Sequence, residues 1–242
     1  MRKTNIVMLI TAAVMWVALQ ARATLAYDEV AYDYPASLAP NGQSGPYSIG
    51  NIFTVNSDID VNELGIYEPS GYTINGSISV AIYAINEVNE QLLGSSLVVA
   101  PVSFTAGSPG SLLAGTSTAM KTVGTVELNP GTYMVVANNY GSSGALPYYD
   151  NGKTPAGEIT GNDFDGAVTV GAAYRAAGVD PLGASVENPL SWGYQDDTIP
   201  RLAAGNFAFT IVPEAGVFGG VAIALLGLVY VGRCAWLKRT TA

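Results

Sequence analysis

The 242-residue chain has no histidine, one cysteine and only 10 basic residues, and each shortage closes off a class of function. Without imidazole there is no Ser-His-Asp or Cys-His nucleophile and no His-ligated zinc. The single cysteine, Cys234, excludes an intramolecular disulfide framework and a cysteine-rich metal cluster. Charged residues make up 12% of the chain, where about a quarter is usual for globular proteins. Low charge here does not mean disorder, because 49% of the residues are hydrophobic. What is abundant is Val, Ile, Tyr and Phe in short runs, punctuated by 28 glycines and 13 prolines. That composition belongs to an all-β module.

Long apolar runs are confined to the two ends. Arg2 and Lys3 precede an apolar run over residues 6–19, followed by Ala21-Arg22-Ala23 and Thr24-Leu25-Ala26. A basic start, an apolar stretch of 14 residues and a small-x-small site describe a secretory signal peptide over residues 1–23. Cleavage after Ala26 fits the same rule. The run falls short of the ~20 residues that span a bilayer, which favours a removable leader over an anchor. At the other end, residues 215–231 are 17 residues without a charge. At ~1.5 Å per residue they reach ~25 Å, the lower limit for a transmembrane helix. Arg233, Lys238 and Arg239 follow, as expected of a cytoplasmic flank. All 19 acidic residues lie between Asp28 and Glu214, against four basic ones (Lys121, Lys153, Arg175 and Arg201), a formal charge of −15. The acidic middle is therefore expected outside the membrane, with the C-terminus cytoplasmic. Cys234, among the basic residues of that tail, is expected as an inert thiol on the reducing side.

Val212-Pro213-Glu214, the apolar helix after it and the terminal basic cluster resemble the PEP-CTERM sorting signal of Gram-negative bacteria. The resemblance covers residues 212–242. It departs from the family at Ala215, where proline is common. It implies that the tail is a temporary anchor and that the partner is a membrane-embedded exosortase cutting near Pro213-Glu214. The chain is then that enzyme's substrate and supplies no chemistry of its own. Its expected destination is the cell envelope, the cell surface or the extracellular matrix.

Residues 27–211 remain as the ectodomain. Period-2 alternation is plainest over residues 77–86, where Ile78, Val80, Ile82 and Ala84 point one way and Ser79, Ala81, Tyr83 and Ile85 the other. Similar runs predict strands at 51–55, 61–67, 91–99, 122–128, 132–138, 167–174 and 206–212. Asn75-Gly76, Asn129-Pro130-Gly131, Asn151-Gly152 and Asp165-Gly166 mark turns. Short strands with this punctuation predict a β-sandwich of jelly-roll or immunoglobulin-like kind. Phe53-Thr54, then Val61-Asn62-Glu63-Leu64, then Ile82-Tyr83, and finally Leu128-Asn129-Pro130-Gly131-Thr132-Tyr133 resemble the choice-of-anchor β-sandwiches of bacterial surfaces. That resemblance runs from Tyr47 to about Tyr140 and implies a fold and a location, not a reaction. The Gly-, Asn- and Asp-rich stretch from 141 to 201 reads as long loops, where binding surfaces are often built.

Two candidate sites fall in those loops. Tyr148, Tyr149, Trp192 and Tyr194 could stack on sugar rings, making the chain a carbohydrate-binding module for exopolysaccharide. Ordinary β-sheet packing is the competing role for such aromatics. In Asn162-Asp163-Phe164-Asp165-Gly166, Asp163 and Asp165 alternate like calcium ligands, but the bidentate Glu of an EF-hand is absent. An Asp-Gly turn in a solvated loop is the simpler account of the pattern, and solvated loop positions are likewise the simpler account of Asp58, Asp60, Asp196 and Asp197. No cofactor other than calcium is suggested. No local pattern supplies a positioned acid, base and cleft, so the reading is non-enzymatic. Nucleic acid is excluded as a partner because the exported region would repel phosphate.

Overall fold

The computed structural model describes residues 29–40, 47–88, 91–141, 145–150, 160–161, 164, 166–177, 193–195 and 202–212. All the strands fall within one compact unit, Asp28–Ile211. The other unit joins Met1–Tyr27 with Val212–Ala242, and of it only Val212 is described. The leader, the apolar run 215–231, Pro213, Glu214, Arg233, Lys238 and Arg239 therefore lie outside the described residues. Among the described residues no helix is long and apolar enough to cross a membrane.

The strands are β1 (Glu29–Val30), β2 (Tyr32–Asp33), β3 (Tyr47–Val55), β4 (Ile59–Tyr67), β5 (Ser77–Val88), β6 (Gln91–Thr105), β7 (Ser111–Leu112), β8 (Thr118–Leu128), β9 (Gly131–Tyr140), β10 (Tyr149–Asp150), β11 (Thr160–Gly161), β12 (Val168–Ala177), β13 (Gly193–Gln195), β14 (Leu202–Ala203) and β15 (Gly205–Ile211). They build a five-stranded sheet in the order β1-β15-β4-β8-β7 and a six-stranded sheet in the order β13-β12-β3-β9-β5-β6. Two short ladders, β10-β14 and β11-β2, complete the pairing. Every pairing between these strands is antiparallel. The chain crosses between the two large sheets from β3 to β4, from β4 to β5, from β6 to β7 and from β8 to β9. Asn129-Pro130 is thus a corner between sheets and not the tip of a hairpin.

Alternation explains the shared core. Ile49, Phe53 and Val55 of β3, Ile78, Val80 and Ile82 of β5, and Tyr133, Val135 and Ala137 of β9 face one apolar cluster from the six-stranded sheet. From the other sheet come Ile59, Val61 and Leu64 of β4, Ala119 and Leu128 of β8, and Phe207 and Phe209 of β15. Phe53 and Phe207 meet across the sheets with ring centroids 4.4 Å apart. Two antiparallel sheets over one core are consistent with a β-sandwich. The outward residues of the central strands are also buried. Ile52, Met134 and Tyr83 form one registered row, and Val136 and Ala81 the next. These strands therefore read as almost continuously hydrophobic.

The predicted strands recur, most of them extended, although 206–212 returns shifted by one residue as β15, and β6 shows why one boundary moves furthest. The strand expected over residues 91–99 continues past Pro101 to Thr105. It is an edge strand in its sheet, and its register with β5 shifts between Val99 and Val102, so Pro101 sits where no ladder donor is required.

One end of the core is tyrosine-rich. Tyr32, Tyr34, Tyr67 and Tyr140 are fully buried, and each hydroxyl donates to a main-chain carbonyl: Tyr32 to Ile52 (3.4 Å), Tyr34 to Gly205 (2.8 Å), Tyr67 to Leu38 (2.7 Å) and Tyr140 to Tyr67 (2.8 Å). Tyr34 stacks on Tyr32 and meets Tyr67 edge-on. Asn206 holds the entering chain to this cluster. Its buried amide accepts from the Tyr32 N–H at 3.1 Å and donates to the Tyr32 carbonyl at 2.7 Å, replacing a missing rung of the ladder where the chain leaves β15 after β1 and enters β2.

Candidate functional site

A hollow lined by an ionisable side chain begins one residue after the tyrosine cluster. Glu68, Pro69, Ser70, Gly71 and Tyr72 form one wall, and Pro109, Gly110 and Leu112 the other, around a cleft of about 330 Å³. The first wall follows β4. Its path is set by the Glu68 N–H donating to the Ser117 carbonyl at 2.8 Å and by a turn in which the Tyr72 N–H donates to the Pro69 carbonyl at 3.2 Å. Gly71 takes φ +84 at the third position of that turn, as a type II turn demands. The turn lifts Tyr72 into solvent, where it is 48% exposed.

The second wall descends from a tight turn in which Thr105 and Ser108 exchange main-chain hydrogen bonds at 3.1 and 2.9 Å. Gly110 follows at φ +92, and a Cβ there would stand 2.6 Å from the Met120 carbonyl oxygen. Only glycine lets the loop lie so close to β8. β7 then pairs with β8 and presents Leu112, 61% exposed, beside the cleft.

Glu68 is the one ionisable group lining this hollow apart from the phenol of Tyr72. Partial burial pushes its carboxyl above the ordinary carboxylate value, and no cation among the described residues offsets the desolvation. Lys121, on the adjoining strand, is engaged elsewhere. Its ammonium donates to the Ser103 carbonyl at 2.6 Å and to Ser108 Oγ at 2.8 Å, and lies 4.8 Å from the centre of the Phe104 ring. The Glu68 charge also reaches back into the core, where it adds to the burial that pushes the Tyr140 phenol up.

A second hollow of about 410 Å³ lies between β6 and β8, lined by residues 99–102 and 122–126. It has no ionisable side chain. Both strands that border it carry register shifts there, and β6 adds Pro101. Bulges and proline are the devices by which exposed edges resist adding a strand. This hollow reads as edge protection.

Of the loop aromatics expected to stack on sugars, Tyr148 is the one whose side chain is described. Tyr148 is buried and packs edge-on against Tyr47 at 5.9 Å, so its faces belong to the core. This corrects its assignment to a sugar-stacking surface: an aromatic flanked by Leu146 and Pro147 filled apolar space instead. Tyr149 pairs with Ala203 in the β10-β14 ladder and Tyr194 with Tyr174 in the β12-β13 ladder, so their backbones belong to different sheets. Trp192 lies outside the described residues, as do Asp163 and Asp165. Between those two aspartates, Phe164 sits at φ 45 and packs edge-on against Phe209 at 5.1 Å. The turn after it is organised by Asn56, whose amide donates to the Gly166 carbonyl at 2.8 Å and to Thr169 Oγ1 at 2.9 Å. Among the described residues no three acidic or cysteine side chains converge as a metal site would require.

Sequence reasoning missed the cleft. Its signal is the segment Glu68-Pro69-Ser70-Gly71-Tyr72, a turn motif that delivers an aromatic two residues after a tight glycine-bearing corner begins. No protein-family profile matches the chain, and no curated protein is significantly similar to it.

Proposed function

We propose that this chain is an exported, non-enzymatic cell-surface or extracellular-matrix protein, tethered transiently by its C-terminal helix and sorted by an exosortase at Val212-Pro213-Glu214. The observation that carries this reading is the order of charge and hydropathy along the chain. A basic start and an apolar run come first, a region of formal charge −15 follows, and an apolar run with Arg233, Lys238 and Arg239 closes the sequence. Export of the acidic region is in keeping with its all-β architecture, built around one apolar core in a region that contains no cysteine. Its repeated passage between sheets suits a sandwich of jelly-roll or immunoglobulin-like kind. In this reading the ectodomain is displayed cargo.

Expression of the full chain in an exosortase-positive host tests the proposal. The expected product is a surface or released form that begins after Ala23 or Ala26 and lacks residues 215–242, identified by mass spectrometry of its termini. Intact chain persisting in the inner membrane, or found in the cytosol with Met1 in place, overturns it.

A further inference from the structure

We infer that the cleft between the Glu68–Tyr72 turn and Leu112 is a docking site for a lysine side chain of a basic partner protein. Three properties of the cleft converge on an ammonium group carried on an aliphatic stem. Glu68 offers a carboxylate that has lost part of its hydration and has no cation beside it among the described residues. Tyr72, half exposed at the rim, offers a ring face to a cation. Pro69, Pro109 and Leu112 offer aliphatic walls, against which the methylenes of a lysine can lie while its head reaches the acid. A neutral sugar would use the ring and the carboxylate but would gain little from three aliphatic walls.

The shape and the charge of the molecule select the source of that ammonium. The cleft is shallow and partly open to solvent, whereas small-molecule sites usually enclose most of their ligand. An open slot accepts a side chain projecting from a larger body. A second copy of this chain is disfavoured, because its exported region carries a formal charge of −15 and like-charged surfaces oppose each other's approach. The same field draws a basic protein in. Both walls are held by main-chain hydrogen bonds and by Gly110 seated against Met120, so the slot is formed before a partner arrives. The inference is independent of the sorting proposal, since it concerns residues 68–112 whether or not the tail is cut.

The test uses the purified full chain and a fluorescein-labelled octalysine peptide, with binding read by anisotropy. Glu68→Gln is expected to weaken binding about tenfold or more, as loss of a charged hydrogen bond does. Tyr72→Ala is expected to weaken it about threefold or more through loss of the cation–ring contact. Glu127→Gln removes an equal charge from an exposed site on β8 and is expected to change binding less than about twofold, the scale of a screened surface charge. Acetylated octalysine, which keeps the stem and loses the charge, is expected not to bind. Circular dichroism and the thermal midpoint check that each variant keeps its fold. Equal weakening by Glu68→Gln and Glu127→Gln would show only diffuse electrostatic attraction and would overturn the inference. So would undiminished binding by either cleft variant, or binding of the acetylated peptide.

Discussion

Tyr67 and Tyr72 lie five positions apart and have opposite fates. Tyr67 closes β4, is fully buried, meets Tyr34 edge-on and donates its hydroxyl to Leu38. Tyr72 stands half in solvent on a glycine turn. The buried group gains from a protonated phenol tied to a carbonyl, and burial pushes Tyr32, Tyr34 and Tyr140 further from ionisation. The exposed tyrosine borders a carboxylate that has no counter-ion among the described residues. Stability therefore concentrates at one side of Glu68 and unmet recognition chemistry at the other. A residue type decides little until the backbone decides where it goes.

Substitution can sharpen this contrast, and the largest effect is expected where the core is emptied. Tyr34→Ala should lower unfolding free energy by about 3–5 kcal/mol, the range for truncating a large aromatic in a core. Tyr72→Ala should stay within about 0.5 kcal/mol, as for an exposed site without special contacts. Urea denaturation of both variants makes the comparison, and equal losses would break it. Asn206→Leu should follow closely, costing about 2–5 kcal/mol, because it strands the Tyr32 N–H and carbonyl in the core.

The pH response separates the two regions more finely. Up to pH ~10, the usual phenol value, folded and unfolded chains hold the tyrosine protons equally. Above it the unfolded chain releases protons that Tyr32, Tyr34 and Tyr140 retain, so stability should fall as pH rises through their elevated values. Tyr34→Phe should make that alkaline decline shallower, measured as the urea midpoint against pH. The smallest effect belongs to Glu68. Its raised carboxyl favours the folded chain at low pH, and this contribution is lost as pH rises through its elevated value. Glu68→Gln should therefore leave stability at neutral pH equal or slightly higher, and remove that part of the acid-range slope. A clear drop in thermal midpoint at neutral pH would show that Glu68 serves the fold and not the cleft.

The long strands were legible because period-2 runs and turn residues are local signals. Val61 to Tyr67 and Ser77 to Asn86 needed only their own side chains to announce a strand with a core-facing side. β1, β2, β7, β10, β11 and β14 were not legible, since two-residue strands exist only through the partner that pairs with them. The extension of β6 past Pro101 was hidden for a related reason: proline is tolerated or not according to whether the strand lies at an edge. Among candidate site residues, Tyr148 misled because nothing local distinguishes an aromatic bound for the core from one bound for solvent. The cleft was invisible because Glu68 and Leu112 are brought together only when β7 pairs with β8 next to β4.

The sequence by itself determined an all-β body, the charge contrast between that body and the chain ends, and the exclusion of imidazole and disulfide chemistry. These depend on composition and on patterns within a few residues. Tertiary structure alone decided which tyrosines would be buried, that Asn206 would stand in for a strand, and that a partly buried carboxylate would share a slot with an exposed ring. Such outcomes require contacts between residues far apart in the chain, and a strand's neighbours are chosen by the packing of the whole sheet.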